Sequence, residues 1–134
     1  MTYFKLAFIL CSIFSTLWYG CDDKEAPISE RVTFVNYSPE LIYVIFDNEP
    51  ISAEKALTIP LYDGWHVINT EETHIGYDMH VHAGGNLYVL IYKPETLKKY
   101  SREELIENDI ADYRYEFTYE ELEARDFTIT FTGD

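Results

Sequence analysis

Two short stretches, Leu41 to Asp47 (LIYVIFD) and Asn86 to Tyr92 (NLYVLIY), are apolar at almost every position and rich in β-branched and aromatic residues. Side chains alternate across a strand, so Tyr43 and Ile45 face one side while Ile42, Val44 and Phe46 face the other. A strand that is apolar on both faces must be covered on both, which makes these two the central strands of a layered β fold. Other segments carry the same residue types in weaker form. Arg31 to Tyr37, Trp65 to Asn69 and Thr73 to Ala83 are β-rich. Tyr113, Tyr115 and Phe117 alternate with Arg114 and Glu116, and Phe127, Ile129 and Phe131 alternate with Thr128, Thr130 and Thr132, giving a half-buried strand with a threonine outer face.

Turn chemistry predicts how the segments connect. Ser38-Pro39-Glu40 reads as the turn of a first hairpin, since Pro cannot donate to a ladder and presets φ. Asp63-Gly64 reads as a second, joining Ala56–Leu61 to Trp65–Asn69, and Gly84-Gly85 as a third, between Thr73–Ala83 and Asn86–Tyr92. After Lys93 the period changes. Pro94 suits a first helical turn, and Ser101-Arg102-Glu103-Glu104 and Thr118-Tyr119-Glu120-Glu121 both have capping-box spacing. The expectation is a mainly β fold, a sandwich or rolled antiparallel sheet of about seven short strands, with two or three short helices in the C-terminal third.

Lys5 precedes an uncharged run from Leu6 to Gly20 that ends at Cys21 and Asp22-Asp23-Lys24-Glu25. Thirteen residues from Leu6 to Trp18 fall short of the roughly 20 that a membrane span needs, so a cleaved export signal fits better. The segment resembles a bacterial lipoprotein signal, which implies that Cys21 receives a diacylglyceryl thioether and becomes the new N-terminus. An ordinary secretory signal cut near Gly20, with Cys21 left as a free thiol, is the alternative. Cysteine arithmetic favours lipidation: Cys11 leaves with the signal, Cys21 then has no disulfide partner, and an unpaired exported thiol is an oxidation liability. The acidic residues after Cys21 look like the signal that sends lipoproteins of Bacteroidota to the outer face of the outer membrane; the periplasmic face is the alternative. The expected organisation is a signal at 1–20, an acidic tether at 21–30 and one β-rich domain at 31–134.

Without residues 1–20, nine Lys and Arg stand against 24 Asp and Glu, and the net charge moves from -14 to about -15. That sign repels phosphate backbones and speaks against nucleic acid as a partner.

The last third, LYVLIYKPETLKKYSREELIENDIADYRYEFTYEELEARDFTITFTGD, resembles the C-terminal half of small uncharacterised lipoproteins of Bacteroides and relatives. Their pattern runs through a "D-T-L-x-x-Y-S-W-E-E" segment and an "L-S-x-E-D-L" turn to a final "W-T-I-T-Y" strand. Glu95-Thr96-Leu97, Tyr100-Ser101, Glu103-Glu104, Arg114-Tyr115, Leu122 and Thr128-Ile129-Thr130 sit at matching places, while Arg102 and Phe127 stand where the pattern has Trp. The resemblance implies a location and an architecture, and lends no activity and no catalytic residues.

Candidate sites are few. His80 and His82 share one strand face with Asp78, a spacing that can seed a zinc site, with His66 or His74 as a guessed fourth ligand; a solvent-facing polar stripe explains them better, since no second cluster supports a metal. Glu103, Glu104, Glu107, Asp109 and Asp112 fit a solvated helical face better than an acid-base pair across a cleft. Trp65, Tyr62 and Tyr77 lie near turns, where rings can stack on sugars beside carboxylates. The sequence contains no Gly-rich phosphate loop, nucleophile elbow, paired-cysteine motif or EF-hand loop, and no cofactor is expected. The expectation is a non-catalytic, membrane-tethered envelope module that binds or plays a structural part. The alternatives are a glycan- or surface-protein-binding accessory of a nutrient-uptake system, and a metal-dependent enzyme using His80 and His82.

Overall fold

The computed structural model describes residues 28–58 and 65–134, without the side chains of 76–78. Seven strands and four helices follow one another in these residues: β1 (Ser29–Asn36), β2 (Ile42–Asp47), α1 (Ala53–Thr58), β3 (His66–Ile68), β4 (Thr73–His82), β5 (Asn86–Tyr92), α2 (Pro94–Lys99), α3 (Arg102–Glu107), β6 (Tyr113–Thr118), α4 (Tyr119–Glu123) and β7 (Thr128–Phe131). The strands form two sheets, ordered β4-β1-β7 and β3-β2-β5-β6. All pairs are antiparallel except β1 and β7, which run parallel. The signal segment, Cys21, most of the tether, Tyr62 and the Asp63-Gly64 turn lie outside the described residues. No described helix is long and apolar enough to cross a membrane.

The two-faced apolar strands sit where their pattern requires. On one face, Ile42 and Val44 of β2 and Leu87, Val89 and Ile91 of β5 join Val32, Phe34, Met79, Val81, Ile129 and Phe131 in the core between the sheets. On the other, Ile45, Leu90 and Tyr92 pack with Ile51, Ala56, Trp65 and Leu105 under the helices. The fold is therefore three layers deep, sheet on sheet on helices, and β2 and β5 occupy the middle layer.

The helices form where capping groups meet their orphan amides. Ser101 Oγ accepts from the Glu104 amide (3.1 Å) at the start of α3. Thr118 and Glu121 complete a reciprocal capping box on α4. α1 replaces the expected strand over Ala56 and its neighbours: Ser52 Oγ accepts from the Lys55 amide, Ala53 and Ala56 are fully buried, and Ala-Glu-Lys-Ala-Leu favours helix over strand.

Two expected hairpins are sheet-crossing arches instead. β1 and β2 lie in different sheets, as do β4 and β5. Gly84 supplies the positive φ (79°) at the second arch, as Gly84-Gly85 suggested, but the returning strand joins the opposite sheet. At the first, buried Asn36 organises the crossing. Its Nδ2 donates to Glu40 O (2.9 Å) and Ile68 O (3.0 Å), and its Oδ1 accepts from the Ser38 amide (2.9 Å) and Ser38 Oγ (2.6 Å). A turn reports only that the chain reverses, so it cannot distinguish a ladder partner from a facing layer.

Phe127 likewise precedes β7 rather than opening it. It sits in the left-handed region (φ 51°) beside Asp126 (φ 53°), donates its amide to Leu122 O (2.7 Å) and accepts from the Thr33 amide (2.9 Å). That tight exit from α4 starts the parallel β1–β7 pair.

Candidate functional site

β6 is an edge strand, ladder-paired among the described residues only with β5. Its alternation sends Tyr113, Tyr115 and Phe117 toward the inter-sheet core, and Arg114 and Glu116 out to solvent. α1 and α3 cover the other end of the outer face, so the corner around β6 is left open, with a hollow on each side of the strand.

The outer hollow, about 290 Å³, is lined by Pro50, Ile51, Tyr88, Leu90, Arg114 and Glu116 among others. Register places Tyr88 opposite Glu116, and directly opposed residues share a face. The Tyr88 hydroxyl (3.1 Å) and Asn86 Nδ2 (2.9 Å) both donate to Glu116 Oε1. Arg114 is held from the other side: its guanidinium pairs with the Asp109 carboxylate (2.8 Å) and donates to the carbonyls of Asp109 (2.6 Å) and Ile51 (3.1 Å). Asp109, in the left-handed region (φ 48°), also accepts from the Ala53 amide (2.8 Å). One clamp thus ties the start of α1, the loop ahead of it and β6 into a wall.

The Ala53 amide and the Arg114 guanidinium hold the Asp109 carboxyl below the usual range. A depressed folded value means that the clamp stabilises fully above the ordinary carboxyl pKa, about 3.9, and fades as pH falls below it. Asp109→Asn keeps an acceptor and tolerates the left-handed backbone, so the charge is what it removes. Because the pair is largely exposed, the expected loss is about 1 kcal/mol at pH 7, with the difference between wild type and variant in urea melts shrinking as pH falls below the ordinary carboxyl range.

The inner hollow, about 240 Å³, opens between β6 and β7, where Tyr115, Phe117, Ile129 and Phe131 form the floor and Arg125 and Asp134 stand at the rim. Tyr113, Tyr115 and Phe117 stack as a ladder, with centroids 6.2 and 5.9 Å apart. Phe131 meets Tyr113 edge-on at 4.9 Å, and the Tyr113 hydroxyl donates to Gly133 O (2.7 Å). The Arg125 guanidinium lies 5.3 Å from the Phe117 centroid, within cation-π range. Burial, and then the neighbouring Tyr113, push the Tyr115 hydroxyl up.

The histidines divide in two: His74 of β4 faces inward and meets His66 of β3, while His80 and His82 lie on the opposite face of β4. An irregularity in the β1–β4 register, which passes from Arg31↔His80 to Thr33↔Ile75, shifts the side-chain parity along β4. His74 lies opposite buried Phe34, and its ring sits 4.2 Å from that of His66. Met79 and Val81 point inward, while His80 and His82 share the outward face, as their spacing predicted. His66 and His74 therefore cannot complete a site with His80 and His82, because the sheet lies between them. Among the described residues no three His, Cys, Asp or Glu converge on a metal-sized site; the Asp78 side chain lies outside those residues.

Trp65 is a core ring rather than a sugar platform. It is 9 % exposed and packs 5.5 Å from Tyr92 in the layer beneath the helices. Tyr62 and the Tyr77 side chain lie outside the described residues. Of the acidic candidates, Asp109 serves the clamp, and Asp112 accepts from the Lys93 amide (2.7 Å) and Thr96 Oγ1 (2.7 Å) at the start of α2. Glu103, Glu104 and Glu107 are exposed on α3 and its end.

Tyr88, Tyr115, Arg114, Glu116 and Arg125 carry no motif that marks them as a site in the sequence. The available signal was the alternation of Tyr-Arg-Tyr-Glu-Phe, which marks a strand with charges on one face beside a strand buried on both. No family model, curated protein or solved structure matches the chain.

Proposed function

We propose that this protein is a cell-envelope lipoprotein, anchored through Cys21, that acts as a non-catalytic binding module with its contact surface at the β6 corner. The observation carrying this reading is the pair of hollows on the two faces of one edge strand, where aromatic rings and fixed polar groups meet. Such concave, ring-lined places with a few oriented polar groups are what ligands occupy. The groups there are suited to holding rather than reacting. The Glu116 carboxylate is a fixed acceptor of two hydrogen bonds, and the Arg114 guanidinium is committed to Asp109 and Ile51. The anchor is supported by the charge, length and cysteine position of the first 21 residues, and the acidic run after Cys21 favours the outer face of the outer membrane. A diacylglyceryl unit together with a further acyl chain makes a lasting tether, where a single chain binds only marginally.

The test combines mass spectrometry, fractionation and binding to isolated envelopes. Wild type is expected in the membrane fraction with a lipid mass on Cys21, and Cys21→Ser in the soluble fraction. Tyr88→Ala combined with Glu116→Ala is expected to abolish most envelope binding while the melting temperature stays within a few degrees. A bare Cys21, or undiminished binding by the corner variant, overturns the reading.

A further inference from the structure

β6 offers a template with a cavity on either side. A strand added along its edge would send successive side chains to opposite faces of the sheet, one into the outer hollow beside Tyr88 and Glu116, the next into the inner slot over Tyr115, Phe117, Ile129 and Phe131. Both hollows are lined by Tyr115, so they flank the same stretch of edge. Resting on the binding-module reading above, we propose that the occupant is an extended segment of a partner protein that pairs with β6 and alternates apolar and basic residues.

The chemistry of each hollow names the residue it accepts. The inner slot has an apolar, aromatic floor and suits an aliphatic side chain. The outer hollow presents the Glu116 carboxylate, while the cation that lines it, Arg114, is already neutralised by Asp109 at 2.8 Å, so a Lys or Arg is attracted there. The net charge of -14 adds a long-range pull on a basic segment and repels an acidic one. The same charge disfavours a second copy of this chain as the strand donor. Main-chain pairing to β6 supplies affinity, and the two hollows supply sequence preference.

Three synthetic nine-residue peptides titrated into the full-length protein test this. The first alternates Val and Lys, the second has the same composition in two blocks, and the third is the alternating peptide N-methylated at every second residue. Fluorescence anisotropy gives affinity, and hydrogen exchange reads the β6 amides. The alternating peptide is expected to bind about tenfold or more tighter than either control and to slow exchange in β6 alone. Glu116→Lys is expected to weaken binding of the alternating Val/Lys peptide and to leave an alternating Val/Gln peptide unaffected. Equal affinity for all three peptides would mean charge attraction without strand pairing and would overturn the proposal. So would protection at another strand, or a concentration-dependent dimer in sedimentation that protects β6 without peptide. A panel of neutral oligosaccharides on the same sample separates the two readings. If sugars perturb Tyr88 and Glu116 and peptides do not, the binding module stands and the peptide inference falls; if neither perturbs the β6 corner, both fall.

Discussion

Asn36→Ala is expected to lower the unfolding free energy by about 3 to 5 kcal/mol, since each buried polar group left unpaired costs about 1 to 3 kcal/mol. Asn36 is fully buried, and its side chain satisfies Glu40 O, Ile68 O, the Ser38 amide and Ser38 Oγ at the point where the chain crosses from one sheet to the other. Alanine removes all four partners at once and puts nothing in their place. Backbone bonds at the same residue, from the Asn36 amide to Glu72 O and from the Glu71 amide to Asn36 O, tie the crossing to the turn before β4 and are kept in the variant. A domain of this size has a total stability of roughly 5 to 15 kcal/mol, so the variant sits near the edge of folding. Urea denaturation followed by circular dichroism reads the change. Tyr37→Ala, one residue on and 60 % exposed, is the control, with an expected effect of about 0.5 kcal/mol or less. A loss below about 1 kcal/mol for Asn36→Ala would mean that water replaces the side chain and that the crossing does not depend on it.

Trp65→Ala is expected to cost about 3 to 5 kcal/mol, the range for truncating a large buried ring. The indole packs against Tyr92, the largest of the fully buried side chains, whose hydroxyl donates to Ile110 O (2.6 Å) and is pushed up to about 12 chiefly by burial. Ile45, Ile51, Ala56, Leu90 and Leu105 complete that cluster, so the void left behind opens the layer between β2, β5 and the helices. Thermal melts read this as a lowered, broadened transition. The result bears directly on function. If Trp65 were a ligand contact, alanine there would abolish binding and leave stability intact; a stability loss of the expected size marks the ring as core, and sends the search for ligand contacts to Tyr88, Tyr115 and Glu116. An unchanged melting temperature would reverse that conclusion.

The local chemistry of the chain was legible. Leu41–Asp47 and Asn86–Tyr92 are central because no other arrangement buries both of their faces, and Ser101, Thr118 and Pro94 begin helices because each meets the needs of a first turn. The β6 corner was not legible. Glu116 and Arg114 looked like the solvent face of a strand, which they are. What makes them a candidate site is that a hollow opens beside Tyr88 and that Asp109, five residues from Arg114, turns back to clamp it. The histidines divide for a related reason. Spacing put His80 and His82 on one face correctly, but the register irregularity in β4 moved His74 to the other side, and nothing in a period of two announces where such a slip occurs.

The residue pattern alone determined that this chain makes short strands, that two of them lie inside, and where the helices of the C-terminal third begin, because each of these depends on neighbours within a few positions. Tertiary structure alone decided that β1 and β2 part into different sheets, that β4 and β5 do the same, and that the first and last described strands run parallel side by side. It also decided that β6 is left as an open edge. Alternation specifies a face and a turn specifies a reversal, but neither names a partner; partners are chosen by which faces can be buried together, a property of the whole assembled core.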